Sequence, residues 1–264
     1  MLETMGKRAL GAFGATVGVL VVCGLLLGFV EGKSTELLYR LFGWGGVLFT
    51  GVAGTPIHEL GHYLMCRLFG VRVTEVALFR PVAGRADGIL GYVRYAYDPG
   101  SLWQRLGSFF VGIAPMVLGV AAILLLLRLL TPEVFRSSSD RLTGALGDRR
   151  GPPALLGAAC SGFFSGLFRL RGLGILRGVL CLYLVFSIST HMTLSPADLR
   201  GAAAGLAVVA ALCLLFGAVT TLLGIEVNAA LKKTAVVIAS FLAVGLAFAL
   251  LSLLVSGAAY LLLS

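Results

Sequence analysis

Apolar stretches about as long as a bilayer is thick recur along this chain, and few folds can accommodate them. In lipid every backbone N–H and C=O must find an internal partner, so such stretches fold as helices. Six spans fit the pattern, at 9–30, 44–69, 106–130, 173–192, 199–223 and 234–262. A soluble domain is about a quarter charged, whereas only 12% of these 264 residues are charged and 58% are hydrophobic. The expectation is an all-α polytopic membrane protein of about six transmembrane helices, forming one membrane domain over 1–264. A bacterial cell (inner) membrane is the expected location, and no separate soluble domain is indicated.

The net charge of +9 would suggest nucleic acid in a soluble chain. Here the basic residues fall in short loops between apolar spans, where they set orientation and meet anionic headgroups. Nucleic acid is therefore set aside as a partner in favour of the lipid bilayer. Lys7 and Arg8 precede the run Ala9–Val30, which is longer than the apolar part of a signal peptide and reads as a retained first span. The same two residues favour an inside N-terminus. Cys23, Cys66, Cys160, Cys181 and Cys213 are scattered with no CxxC spacing, and they read as small core residues.

The segment between spans two and three differs in kind. Residues 71–81 and 91–100, "VRVTEVALFRP" and "GYVRYAYDPG", are rich in Val, Tyr and Phe and end at Pro or Gly signals. They read as a two-stranded β insertion at 71–100, which must lean on the membrane domain and leaves a strand edge free. Residues 131–153 are polar and turn-rich, and they read as an exposed loop. Residues 154–172 are apolar but interrupted by Gly and Arg, and they read as an interfacial or re-entrant segment.

Span two carries "GVAGTPIHELGHYLMCRLFGVRV" (51–73), which sets two of the chain's three histidines and a glutamate among apolar residues. Polar groups buried this way cost free energy unless something satisfies them. His58 and His62 are four residues apart, so on a helix they share one face, and neutral imidazoles at that spacing can hold one Zn²⁺. Glu59 is turned about 100° from them yet stays close enough to take a proton from a water that the metal activates. Pro56 removes a backbone donor just ahead, so the span is expected to kink or start afresh there.

A catalytic zinc usually takes three protein ligands, so another must come from elsewhere. Residues 189–205, "STHMTLSPADLRGAAAG", offer Asp198 as the third ligand. His191 stands as an alternative ligand or as a donor to a substrate carbonyl. Ser195, Pro196 and Asp198 also form a helix-start pattern, so Asp198 can cap and ligate together. Glu226, Glu75 and Asp98 rank lower as ligands. Gly24 with Gly28, and Gly162 with Gly166, read as packing surfaces.

His58-Glu59-Leu60-Gly61-His62-Tyr63, followed by Leu68-Phe69-Gly70-Val71-Arg72-Val73, resembles the active-site helix and following strand of the site-2 protease family of intramembrane zinc metallopeptidases. The resemblance implies His58 and His62 as ligands and Glu59 as base, with strands that present an extended substrate. Asp198 stands where that family carries a later aspartate ligand, and "GIAPMVLG" (112–119) is weakly similar to its Gly-Pro segment. The aspartate motif departs from the family's Leu-Asp-Gly, reading Ala197-Asp198-Leu199-Arg200-Gly201. The family's Asn in the Gly-Pro segment is missing, since the chain's only Asn is Asn228.

These features together imply hydrolysis of peptide bonds in a membrane-associated or transmembrane protein or peptide substrate. The substrate would be extended, because a helix hides its carbonyls in its own hydrogen bonds, and a free strand edge of 71–81 or 91–100 would hold it. Arg80 or Arg94 would then meet acidic or lipid groups. A non-catalytic zinc-binding membrane protein, scaffold or pseudoprotease, is the alternative, and intact Glu59 speaks against it. A transporter with a zinc site at the bilayer midplane is a further alternative, but the sequence shows no inverted repeat.

Overall fold

The computed structural model describes residues 1–147 and 152–263. Its elements follow the order α1 (Leu2–Phe13), α2 (Val19–Phe42), α3 (Trp44–Leu68), β1 (Arg72–Ala77), α4 (Gly84–Asp87), β2 (Tyr92–Ala96) and α5 (Leu102–Leu130). Then come α6 (Pro132–Gly147), α7 (Pro152–Leu167), α8 (Leu173–Ser189), α9 (Pro196–Leu222) and α10 (Asn228–Leu263). A π-helical turn, Gly14–Gly18, joins α1 to α2, so that Leu2–Phe42 is one continuous helix.

Among the described residues, four helices are long and apolar enough to cross a membrane: Leu2–Phe42, Leu102–Leu130, Ala197–Leu222 and Leu242–Leu263. They cover four of the six expected spans. The other two are helical as well but are not spans by the same measure. Helix α8 has only 17 residues. Helix α3 is long enough at 25 residues, but Gly, Thr, His and Glu dilute its apolar character. Both pack on α5 and on each other, so their polar groups meet protein.

Residues 132–147 are helical where an exposed loop is expected, and α6 pairs with α7 as a helical hairpin. The physical reason lies in α7. A Cβ on Gly162 would fall 2.5 Å from the Ser137 carbonyl oxygen, and one on Gly166 would fall 2.6 Å from Val134 Cα. The two backbones thus close tightly, Val134 is wholly buried, and Ser137 and Ser165 share a hydrogen bond. Tertiary contact overrides the turn propensity of the Ser- and Asp-rich stretch. The expected segment 154–172 lies mostly in α7, against α6 and α10.

The two strands are antiparallel, with Glu75 opposite Arg94 and Val76 opposite Val93, and the register is irregular at Thr74. Among the described residues strand β2 pairs only with β1, so its outer edge carries no further strand. The hairpin sits on α3, through which it leans on the helices.

The main core gathers α2, α5, α8 and α10 around Leu27, Met116, Ile123, Ile188 and Leu242. Met192, from the link between α8 and α9, is 1% exposed in that core. Burying its side chain fixes the link that leads into α9. Helix α3 runs through Pro56 without restarting. At the turn before it, Ser187 Oγ accepts from the N–H groups of Ala53 and Gly54 at 3.2 and 3.0 Å and donates to the Thr50 carbonyl. Tyr183 donates to the Phe49 carbonyl at 2.9 Å. Helix α8 thus bonds to backbone groups in the turn that precedes the proline.

Candidate metal centre

His58 and His62 project from one face of α3 with Nε2 atoms 3.1 Å apart. Asp198, at the third position of α9, brings Oδ1 to 3.1 Å from His62 Nε2 and Oδ2 to 3.9 Å from His58 Nε2. Among the described residues these three form a group able to hold a metal ion, with ligand atoms all within 4.8 Å of one another. Two donors on a tetrahedral Zn²⁺ at ordinary bond lengths stand about 3.3 Å apart, close to the spacing found here.

Hydrogen bonds on the far side of each ring fix which nitrogen is bare. His58 Nδ1 lies 2.7 Å from the carbonyl oxygen of His191, and His62 Nδ1 lies 2.8 Å from that of Val111. A carbonyl only accepts, so both Nδ1 atoms carry the proton and donate it. Each neutral ring then turns an Nε2 lone pair toward the carboxylate of Asp198. Two lone pairs and a carboxylate repel at this range unless a cation sits among them. A proton on His62 satisfies only part of the set, whereas a metal ion meets all three donors, and the donor chemistry therefore fits a metal. Backbone partners behind ligating imidazoles are the usual means of orienting them.

Asp198 also does what its helix-start pattern implies. Its Oδ2 accepts from the Ser195 N–H at 2.8 Å, and Ser195 Oγ accepts from the Asp198 N–H at 3.1 Å. One carboxylate oxygen caps α9 while the other faces His62, so capping and ligation are compatible.

Glu59 is buried beside the pair. Together with His58, His62, Asp198 and Val93 of β2 it lines a cavity of about 770 Å³. This approach of strand to helix demands a glycine: a Cβ on Gly91 would lie 2.8 Å from both Glu59 Cγ and Thr55 Cγ2.

His191 lines the same cavity, but its ring is not among the grouped ligands. Its Nδ1 lies 3.2 Å from the Ser187 carbonyl and 3.1 Å from Thr190 Oγ1. What it gives the centre here is its backbone carbonyl, the acceptor behind His58. Arg80 and Arg94, expected to meet acidic or lipid groups, are engaged inside the hairpin. Arg80 pairs with Asp87 at 2.9 Å and Arg94 with Glu75 at 2.7 Å, and both stack on Tyr92. Glu226 pairs with Arg8, away from the centre.

Glu31 on α2 is a buried acid beside the centre that the spacing of motifs does not disclose. It is 4% exposed, and its carboxylate accepts from the N–H groups of Met192 at 2.6 Å and Thr193 at 3.1 Å. It clamps the link whose His191 carbonyl orients His58 and whose end carries Asp198. The one signal in the sequence is an acid directly after the apolar run that closes at Val30, since ionisable groups in such runs are rarely idle.

No family model, no curated protein and no solved structure matches this chain.

Proposed function

We propose that the protein is a zinc metalloendopeptidase of the bacterial cell membrane that hydrolyses peptide bonds of membrane-protein substrates, as its resemblance to the site-2 protease family implies. The reading is carried by one observation: Glu59 lines the same cavity as His58, His62 and Asp198. A centre that only stabilised the fold would have no use for an acid one residue along from a ligand.

His58, His62 and Asp198 would hold the ion. When bound, Zn²⁺ supplies Lewis-acid chemistry, making water more acidic and a carbonyl more electrophilic. Glu59 accepts the proton of the attacking water on its carboxylate. As the C–O bond forms and the C–N bond breaks, Glu59 returns that proton to the departing amine. The buried position of Glu59 excludes bulk water from this exchange. The outer edge of β2, beside Glu59, offers backbone groups to an extended substrate by strand addition.

Zinc content and cleavage in wild type, Glu59→Gln and Asp198→Asn test the reading. Glu59→Gln should keep zinc and lose cleavage, and Asp198→Asn should bind zinc more weakly. A Glu59→Gln protein that cleaves as wild type would falsify it.

A further inference from the structure

The cavity has a wall that the chemistry above does not use. Gly28, Gly32 and Thr35 of α2 line it at a spacing that places them on one helix face. A Cβ built on Gly28 or on Gly32 meets no atom within 4 Å. One turn earlier the situation reverses, because a Cβ on Gly24 would stand 2.6 Å from Leu194 Cδ1. Gly24 is therefore a packing contact as the sequence suggests, whereas Gly28 faces open space. Glycine is a poor helix former, and packing accounts for neither Gly28 nor Gly32.

Gly91, Tyr92 and Val93 also line the cavity, at the strand whose outer edge carries no further strand among the described residues. Thr55 lines the cavity too; it is 5% exposed, and its Oγ1 has no hydrogen-bond partner among the described residues.

We propose that the Gly28–Gly32–Thr35 face of α2 and the outer edge of β2 are the two walls of a slot for an extended peptide segment. The proposal rests on the protease reading and specifies where its substrate lies. From Gly28 to Thr35 the helix rises about 10 Å, the length of three residues of extended chain. A cavity of about 770 Å³ falls within the ordinary range for a small ligand site. A lipid tail would fill the volume, but it has nothing to pair with a strand edge or an unpartnered hydroxyl. An extended peptide offers N–H and C=O groups in alternation, which such an edge is built to meet. The glycines leave the room that its side chains require.

Two hydroxamates separate the slot from the metal, using the purified full-length, zinc-loaded protein. Acetohydroxamic acid needs only the ion, whereas trileucine hydroxamate needs the ion and the slot. Gly28→Leu and Gly32→Leu should each weaken trileucine hydroxamate by about tenfold or more, as forcing volume into an occupied site does. Zinc content and acetohydroxamate affinity should stay at wild-type values, and thermal stability should not fall. Gly28→Ala and Gly32→Ala occupy less of the slot and favour helix, so they should show a smaller loss in the same direction with folding secure. Trileucine hydroxamate binding to the leucine variants as to wild type overturns the slot and leaves the protease reading standing. Wild type that holds no zinc, or binds neither hydroxamate, overturns the protease reading and the slot with it.

Discussion

His62 donates its Nδ1 proton to the carbonyl oxygen of Val111 at 2.8 Å, and that oxygen is available because Pro115, four residues on, has no N–H to give it. A defect in the hydrogen-bond ladder of α5 thus sets the tautomer of a ligand on α3. The two helices meet at that level, since a Cβ on Gly61 would lie 3.2 Å from the Pro115 nitrogen. His58 is set in a similar way by the carbonyl of His191, just past the end of α8.

Pro115→Ala should therefore affect the metal more than the fold. The substituted alanine would supply an N–H to the Val111 carbonyl and compete with His62 for it. Disturbing the partner behind a ligand typically costs about 10–100-fold in metal affinity, and a loss at the lower end of that range is expected. Competition titration with a zinc chelator measures it, and nitrogen NMR of the imidazoles should show His62 losing its single tautomer. Unchanged zinc affinity with an unchanged tautomer would show that the carbonyl does not orient the ring.

Glu31→Gln tests the clamp on the link between α8 and α9. The carboxylate accepts two backbone N–H bonds, from Met192 and Thr193. A carboxamide has one accepting oxygen and turns its NH₂ toward the other donor, leaving a buried group unpaired. A loss of stability on the order of 2 kcal/mol is expected, together with weaker zinc binding, because His191 and Asp198 flank the clamped residues. Thermal unfolding with and without zinc reads both effects. A lower melting temperature with zinc affinity intact would confine Glu31 to a structural role.

Much of this centre is legible in the sequence because its chemistry is local. The spacing of His58 and His62 needs only one helix, and the Ser195–Asp198 cap needs only one helix start. Other features depend on contacts between distant segments. Nothing near Val111 marks its carbonyl as an orienting group until α5 lies against α3. Glu31 is 161 residues from Met192. The polar stretch 132–147 shows the same limit in the fold, because Gly162 and Gly166 of another helix decide that it is helical. Two of the six expected spans fall short for a related reason: α3 gains its polar residues from the site it carries, and α8 is shortened by the link that holds His191.

The hairpin beside the cavity should loosen in acid. Glu75 is held below the ordinary carboxylate range, first by the hydrogen bond from Tyr92 and then by Arg94. A carboxyl whose folded value is lowered contributes stability above its unfolded value and loses it as pH falls through the lowered one. Strand pairing over 72–77 and 92–96 should accordingly be strongest at neutral pH, weaken as pH falls through the ordinary carboxylate range, and have lost this contribution once pH is below the lowered value of Glu75. Amide hydrogen exchange, corrected for its intrinsic pH dependence, follows this directly. Glu75→Gln should remove the pH dependence. A wild-type hairpin equally protected on both sides of the transition would show that the pair contributes nothing.

Gly54→Ala should disturb the centre through α8 and its link. An added Cβ would overlap the Ser187 carbonyl oxygen and lie 2.8 Å from His191 Cβ. The first contact is with backbone, so α8 and the start of its link must move away. That movement stretches the bond from His58 Nδ1 to the His191 carbonyl, now 2.7 Å, and it strains the Ser187 hydroxyl away from the Gly54 N–H. Overpacking of this kind costs about 1–3 kcal/mol. Gly45→Ala is the matched control on the same helix, where an added Cβ meets nothing within 4 Å. It should stabilise the protein by up to about 1 kcal/mol, the ordinary gain of alanine over glycine in a helix. Melting temperatures moving in opposite directions, with zinc affinity reduced only in Gly54→Ala, are the expected result. Equal shifts in the two variants would show that α8 yields freely at Gly54 and does not hold His58 in place.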